Sequence, residues 1–225
     1  MIQVQNISKG YGNLQALSEI NFEMHKGEII GLLGVNGAGK TTLMKILSGI
    51  IYPDEGDILF DNMSYCQHAS DIKRKLGYLS ENNPLYEDMY VSEYLRYIAG
   101  LYKIHISKIS EIIEKTGLTS ESKKKIKTLS KGNKQRVGIA QVLIHDPEFI
   151  ILDEATSGLD PNQRESLNSL LKTLSEEKII LFSTHVLQDV RDVCNRIICI
   201  EKGILISDQK KSDISFDSLE QIFNK

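Results

Sequence analysis

Short apolar runs alternate along the chain with segments of helical periodicity. Near the start, Ile2 and Val4 alternate with polar residues, as in a strand with one buried face. Longer apolar runs without alternation are typical of central strands in a parallel sheet that is buried on both faces. Such runs predict five further strands, over residues 28–33, 148–152, 178–183, 196–200 and 204–206. A helix is predicted at 41–47, where three aliphatic residues share one face.

A block of helical patterns interrupts the strands in the middle of the chain. A helix is predicted to begin at Ser92, and two more are predicted over residues 104–115 and 131–145. A helical block between two halves of an α/β pattern indicates a core with an inserted subdomain. We therefore expect one domain over residues 1–225. Its predicted parts are a core of residues 1–84 and 147–225 and a helical subdomain of residues 85–146.

Composition and charge exclude several classes of protein. Of the 225 residues, 41% are hydrophobic and 25% are charged, which is typical of a folded soluble domain and not of a disordered chain. The net charge of −3 gives the whole chain no bulk attraction to nucleic acid or anionic lipid. Three cysteines without paired spacing fit reduced thiols in a cytosol. No apolar run approaches the roughly 20 residues that cross a bilayer, and the N-terminus lacks a signal-peptide pattern.

The strand predicted at 28–33 leads into a glycine-rich loop. Residues 34–41, G-V-N-G-A-G-K-T, match the phosphate-loop motif G-x-x-x-x-G-K-[ST]. Glycines let the backbone turn its N–H groups inward as an anion site, and the helix that follows adds the positive end of its dipole. Lys40 brings a cation to the β and γ phosphates. The Thr41 hydroxyl is suited to Mg²⁺, and Thr42 to the α phosphate. The predicted nucleotide-binding residues here are Gly34, Asn36, Gly37, Ala38, Gly39, Lys40, Thr41 and Thr42.

Two acids follow the apolar run F-I-I-L. Asp153 and Glu154 end a predicted strand, and open α/β sheets bind ligands beyond the carboxyl ends of their strands. We expect Asp153 to belong to the Mg²⁺ shell and Glu154 to polarise the attacking water. General-base catalysis is worth about 10²–10⁴ in rate. A solvent-exposed acidic turn is the alternative for such a pair taken alone, but the phosphate loop earlier in the chain favours the catalytic interpretation.

A second anion site is predicted at the start of the helix at 131–145. The stretch L-S-K-G-N-K-Q places Ser130 and Gly132 at a helix start, where backbone N–H groups are available. It resembles the L-S-G-G-Q signature of ATP-binding cassette (ABC) ATPases. Lys131 replaces the first glycine of that signature, and Asn133 replaces its glutamine. An ordinary N-capped helix is the alternative for this stretch taken alone.

Three more stretches resemble ABC ATPases. The run S-G-L-D, ending at Asp160, resembles their D-loop, and Asp160 is also placed to cap the helix that begins at Pro161. His185 follows a predicted strand at the place of the family's switch histidine. Tyr11 resembles the aromatic residue that stacks on adenine. The resemblance covers essentially the whole chain, and the order of the motifs makes it specific.

The resemblance implies a fold, a reaction and partners. The implied fold is α/β: a P-loop NTPase core with a mainly parallel sheet, an N-terminal antiparallel β subdomain and an inserted helical signature subdomain. The implied activity is ATP hydrolysis with Mg²⁺ and with Glu154 and His185 as catalytic residues. Two ATP-binding subunits would face each other head to tail, as a homodimer or a heterodimer. Ser130, Gly132, Asn133 and Asp160 would complete the site of the other subunit. A separate membrane-spanning permease would hold the chain at the inner face of the cell membrane.

One position departs from the family pattern. Glu81 stands where the family usually has a glutamine after a strand, and a carboxylate can bind Mg²⁺ or its water but cannot donate a hydrogen bond. The surrounding G-Y-L-x-E-x-x-P-L-Y resembles ATPase subunits of ABC-2-type exporters. Within these, residues 82–91 and Lys131 are similar to the subunit associated with bacterial gliding motility.

Two other functions compete with transport. A soluble ABC ATPase that acts on DNA or ribosomes is the first, although the chain lacks the long coiled coils of the DNA-repair forms and carries only one cassette. A nucleotide-sensing module without catalysis would not need both Lys40 and Glu154. We therefore expect no nucleic-acid partner. Five tyrosines between residues 86 and 102 are either core residues or a docking surface for the membrane subunit.

Overall fold

The computed structural model describes residues 1–156, 158–184 and 186–214. Its strands are β1 (Ile2–Tyr11), β2 (Leu14–Met24), β3 (Ile29–Leu33), β4 (Glu55–Phe60), β5 (Met63–Ser64), β6 (Leu76–Leu79), β7 (Phe149–Asp153), β8 (Ile179–Ser183), β9 (Arg196–Glu201) and β10 (Ile204–Lys210). Its α-helices are α1 (Lys40–Leu47), α2 (Tyr65–Arg74), α3 (Val91–Leu101), α4 (Ser107–Lys115), α5 (Lys131–Leu143), α6 (Pro161–Ser175) and α7 (Leu187–Val193).

The N-terminal strands form an antiparallel sheet of four strands in the order β2-β1-β4-β5. β1 pairs antiparallel with both β2 and β4. Ile2, Val4 and Ile7 are buried, and they contribute to a core shared with α1. The alternation at the start of the chain therefore predicted a half-buried strand correctly. The expected antiparallel β subdomain is confirmed.

The second sheet carries the functional loops, and its order is β10-β9-β3-β8-β7-β6. β3 pairs parallel with β8 and β9, and β7 pairs parallel with β6 and β8. Only the edge strand β10 is antiparallel to its neighbour. Every residue of β3, β7 and β8 is buried, because the sheet is covered on both faces. Alternate residues of β3 enter two different hydrophobic clusters, which explains why these strands appear as unbroken apolar runs.

The helical block between β6 and β7 contains α3, α4 and α5, which pack in one of these clusters. The helix predicted from residue 104 begins only at Ser107, and its N-cap, Ile106, provides no side-chain hydrogen bond. The His105 side chain accepts the Ser107 backbone N–H at 3.3 Å just before this start. α5 begins at Lys131 as predicted and ends at Leu143, two residues early. α2 and α7 have no counterpart among the predicted helices.

The tyrosines of the helical block divide between core and surface. Tyr94 is buried in the helical cluster. Tyr86, Tyr90, Tyr97 and Tyr102 are all more than two-fifths exposed.

No helix within the described residues is long and apolar enough to cross a membrane.

Candidate functional site

One large cleft lies at the carboxyl ends of the parallel strands. Its volume is about 800 Å³, within the range of small-molecule sites. The lining residues come from the β1–β2 hairpin, the loop before α1 and its first turn, the segment after β6, the end of β7 and the β9–β10 turn. They are Tyr11, Leu14, Gln15, Ala16, Asn36, Gly37, Ala38, Gly39, Lys40, Thr41, Thr42, Glu81, Asp153, Glu154 and Lys202. The phosphate loop and the acidic pair, separated by over a hundred residues in sequence, thus share one cavity.

The phosphate loop owes its shape to backbone conformations that favour glycine. Gly39, the N-cap of α1, has φ of 109°, and no side chain caps this helix start. A Cβ at Gly39 would lie 2.7 Å from the Ala16 carbonyl oxygen, so the loop and β2 approach too closely for any other residue. The first N–H groups of α1 therefore point into the cleft without a side-chain acceptor, which suits an anion.

Lys40 lies inside the loop. Its Nζ donates hydrogen bonds to the carbonyl oxygens of Gly34 at 2.6 Å and Val35 at 3.2 Å. Burial lowers the pKa of Lys40 from its ordinary value, while the negative charges of Glu154 and Asp153 act in the opposite direction. The ammonium group is therefore placed between the loop and the acidic pair, where it can meet a phosphate.

Asp153 is held in place by the neighbouring strand. The register of β7 and β8 pairs Asp153 with Ser183, and the buried Ser183 hydroxyl donates to Asp153 Oδ1 at 2.6 Å. The other carboxylate oxygen, Oδ2, is buried and has no hydrogen-bond partner among the described residues. A buried carboxylate oxygen without a donor needs a positive partner, so Asp153 fits a metal ion or a water bound to one.

Glu154 adopts a left-handed conformation directly after the strand. Its φ is 53°, and its backbone N–H donates to the Ser183 hydroxyl at 3.0 Å. That hydroxyl thus contacts both acids of the pair. Left-handed backbone is uncommon outside glycine, asparagine and aspartate, and it clusters at functional sites. Here it accompanies the turn that brings Glu154 to the wall of the cleft.

A third acid lines the same cleft from the segment after β6. Glu81 lines the cleft, and the adjacent Tyr78 hydroxyl is buried without a hydrogen-bond partner in the described structure. Burial raises the pKa of Tyr78 to about 12, with smaller contributions from the charges of Asp153 and Glu81. The charges of Asp153 and Glu81 therefore both influence the Tyr78 hydroxyl, which places the two carboxylates in the same part of the cleft.

The cleft fits a magnesium nucleotide better than a metal held by protein alone. No group of three or more His, Cys, Asp or Glu side chains within the described ranges could hold a metal ion. Mg²⁺ typically takes one or two protein oxygens and completes its shell with phosphate oxygens and water. Thr41, Asp153 and Glu81 are the residues of the cleft that could supply those protein oxygens.

Tyr11 stands at the entrance of the cleft. The ring is about half exposed, and the Lys9 Nζ lies 5.9 Å from its centroid. Asp54 fixes this end of the hairpin, because it accepts hydrogen bonds from Lys9 Nζ and from the Gly10 backbone N–H. An exposed ring on a fixed hairpin is suited to stacking on a base, and that role stays a prediction.

The predicted second anion site lies elsewhere. Ser130, Gly132, Asn133 and Asp160 are not among the described residues that line the cleft. Ser130 is the N-cap of α5, where its hydroxyl accepts the Asn133 N–H at 3.3 Å. Asp160 caps α6 and accepts the Gln163 N–H at 2.9 Å.

The starts of α5 and α6 lie side by side. A Cβ at Gly132 would lie 2.0 Å from Gln163 Oε1, and one at Gly158 would lie 2.6 Å from the Lys131 side chain. The signature and the D-loop therefore form one surface with two helix N-termini. Their roles in binding a nucleotide stay predictions.

His185 and Ser157 lie outside the described residues. Sequence reasoning missed Ser183 and Lys202. Ser183 has a detectable signal, since it ends a strand that a parallel sheet would place beside the acidic one. Lys202 lies in the β9–β10 turn, and nothing in its local sequence indicates the cleft.

Comparisons with known proteins agree with this geometry. A family model described as "ABC transporter" matches residues 17–157. The chain is 36% identical over its whole length to the lantibiotic transport ATP-binding protein SrtF of Streptococcus pyogenes, of which it covers 96%. It is 35% identical, again over its whole length, to the uncharacterized ABC transporter ATP-binding protein YdbJ of Bacillus subtilis, of which it covers 72%. Among solved structures, a dimeric post-hydrolysis state of the ATP-binding cassette MJ0796 bound to ADP and Pi superposes with a TM-score of 0.84 at 27% identity, covering 93% of this chain and 98% of that one.

Proposed function

Because the chain belongs to the ABC transporter family, we propose that it binds and hydrolyses ATP to drive a separate membrane permease, in an exporter of the ABC-2 type. The observation that carries this proposal is the shared cleft, which unites Lys40 and Thr41 with Asp153 and Glu154. A triphosphate needs a cation and backbone amides on one side. Its hydrolysis needs a base beside the terminal phosphate.

Several groups that line the cleft have a role in the proposed hydrolysis. The amides of the phosphate loop and Lys40 bind the phosphates, and Tyr11 stacks on the base. Thr41 and Asp153 would hold Mg²⁺ beside the phosphates, where the ion would neutralise part of their charge. Glu154 accepts a proton from the water that attacks the γ-phosphorus, and the bond to the β–γ bridging oxygen breaks to give ADP and phosphate. His185 assists Glu154 in this scheme, as the family resemblance implies.

A second ATP-binding subunit completes each site. The start of α5, with Ser130 and Gly132, lies outside this chain's own cleft, and Asn133 follows in the same turn with its N–H bonded to the Ser130 hydroxyl oxygen. In a head-to-tail pair, this surface and Asp160 would meet the nucleotide of the partner. The dimeric form of the similar ADP-bound cassette supports this arrangement.

The membrane partner is proposed from the relatives and from the surface. SrtF is named for lantibiotic transport, which supports export as the direction. Tyr86, Tyr90, Tyr97 and Tyr102 give the helical block an exposed aromatic face, the proposed docking region for the permease. The chain would then lie peripherally at the inner face of the cell membrane. A role in gliding motility stays a finer prediction based on residues 82–91 and Lys131.

Two measurements test the proposal. The purified chain should release phosphate from ATP only with Mg²⁺, and an affinity-tagged chain should co-purify a multi-span protein from detergent-solubilised membranes. A tagged Lys40→Ala variant is the matched control: it should co-purify the same membrane protein but lose phosphate release, because its loop lacks the cation that binds ATP. Co-purification of ribosomes or DNA in place of a membrane protein would instead support the soluble ABC ATPase.

A further inference from the structure

A fully buried carboxylate lies behind the acidic end of β7, outside the nucleotide cleft. Asp189, in the first turn of α7, has 0% of its surface exposed. Its Oδ2 accepts hydrogen bonds from the hydroxyls of Thr156 at 2.7 Å and Thr184 at 3.1 Å. Arg164 Nε lies 3.4 Å from Oδ1, close enough for attraction between charges although not aligned for a hydrogen bond. A buried charge is costly unless it is paired, and these three residues pair it.

The hydroxyl groups of the cluster converge on one carboxylate oxygen. The Thr184 hydroxyl accepts the Val186 backbone N–H at 3.0 Å, so its own hydrogen is available for Asp189. The Asp189 backbone N–H donates in turn to the Val186 carbonyl at 3.1 Å. Each threonine has a single hydroxyl hydrogen, and both hydrogens are directed at the same carboxylate oxygen. The two hydroxyl oxygens also lie 3.5 Å from each other, so Thr156, Thr184 and Asp189 form one connected cluster.

The carboxylate connects two segments that flank the reaction site. Thr156 lies two residues after Glu154, in the connection from β7 to α6. Thr184 directly follows Ser183, the residue that contacts both acids of the pair. Arg164 belongs to the first turn of α6. One buried group thus fastens the segment that carries the proposed base to the end of the neighbouring strand.

We propose that Asp189 is a positioning residue for ATP hydrolysis, which acts by holding Thr156 and Thr184, and thereby Glu154, in the geometry needed for water attack. The inference rests on the proposed function, because it concerns the same reaction. The four side chains of the cluster do not line the cleft, and the phosphate loop belongs to β3 and α1. Loss of the cluster should therefore lower kcat and leave nucleotide affinity almost unchanged.

The test compares hydroxyl removal with hydroxyl retention. Thr156→Val keeps the shape of the side chain but removes the donor to Asp189, whereas Thr156→Ser keeps the donor. Thr184→Val and Thr184→Ser form a second pair. Each valine variant should lower kcat by about 10-fold or more, while each serine variant should keep at least about half of the wild-type kcat. The affinity for a fluorescent ADP analogue should stay within about twofold in all four.

The outcomes separate the two proposals. A wild-type chain without ATPase activity would defeat the proposed function and this inference together. Wild-type turnover with equal kcat in the valine and serine variants would defeat the inference alone, because the hydroxyl would then be irrelevant. If Thr156→Val does not bind ADP, the comparison of kcat between Thr184→Val and Thr184→Ser tests the inference instead. Failure of both valine variants to bind ADP would show that the cluster supports folding and does not position a base.

Discussion

Replacing Ser183 by alanine should destabilise the protein and weaken its use of Mg²⁺. The Ser183 hydroxyl is fully buried, donates to Asp153 Oδ1 at 2.6 Å and accepts the Glu154 N–H at 3.0 Å. Removing it leaves the Asp153 carboxylate without its donor, since Oδ2 has no partner among the described residues. It also removes the hydroxyl oxygen to which the Glu154 N–H donates.

The magnitude follows from the two lost bonds. A hydrogen bond to a charged group contributes about 1.5–3 kcal/mol, and a buried donor left without a partner costs about 1–3 kcal/mol. The two costs overlap, because Asp153 and Glu154 can relax together, so we expect a loss of about 3 kcal/mol. In a chain of this size, 1 kcal/mol lowers the melting temperature by about 2–4 °C. The expected decrease is therefore about 6–12 °C.

Calorimetry measures the first effect, and a Mg²⁺ titration of phosphate release measures the second. The variant should need about 10-fold more Mg²⁺ for half-maximal activity, because Asp153 is no longer oriented toward the metal. Ser169→Ala is the matched control. Its hydroxyl is exposed and only donates back to the Glu165 carbonyl in α6, so its melting temperature should hardly change. A Ser183→Ala protein that melts like this control would refute the reasoning.

Three further predictions concern the cleft and a buried histidine. Glu154→Gln should lower kcat by about 10²–10⁴ without loss of ATP binding, because the amide cannot accept the proton of the attacking water; normal turnover in phosphate-release assays would remove Glu154 from the mechanism. Lys40→Ala should weaken ATP binding itself, as seen by equilibrium dialysis, because the loop loses its cation; unchanged affinity would contradict its assignment. Burial lowers the pKa of His145, so the unfolded state binds more protons. Stability should be full above its ordinary pKa of about 6.5 and fall as the pH drops from there through the lowered folded value. Chemical unfolding at several pH values should show a weaker slope in this range for His145→Gln, and an unchanged slope would count against the assignment.

The sequence predicts the central strands of the parallel sheet closely because burial on both faces leaves a strong local signal, whereas β2, β4 and β5 have no counterpart among the predicted strands. β3, β7 and β8 appear as unbroken apolar runs, and each was placed within about two residues. α2 was not predicted because only Tyr65 and Ile72 of this helix are buried. Two apolar positions among polar residues are too few to give a helical periodicity in the sequence. The start of α4 was misplaced because its N-cap is Ile106, which has no side-chain acceptor and therefore none of the sequence signals that mark a helix start.

The sequence predicts those parts of the cleft in which a short continuous motif has a recognisable chemical role. The phosphate loop and the acidic pair each have such a motif, and the strand order then joins them. The Asp189 cluster has none, because its members are common residues from three segments that meet only in the folded chain. Long-range contacts of this kind leave no periodicity in the sequence.

The position of β3 in its sheet has a consequence for the time at which the protein becomes active during synthesis. In the described structure β3 pairs with β8 and β9. Residues 29–33 therefore cannot form their sheet until these two strands have been synthesised, about 150 residues later. Until then the strand that leads into the phosphate loop has no hydrogen-bonded neighbour in its sheet. The antiparallel sheet of β1, β2 and β4 can form much earlier, since all of its strands lie within the first 64 residues. A nascent chain halted before β8 should therefore resist protease in its first sheet and yet fail to retain nucleotide.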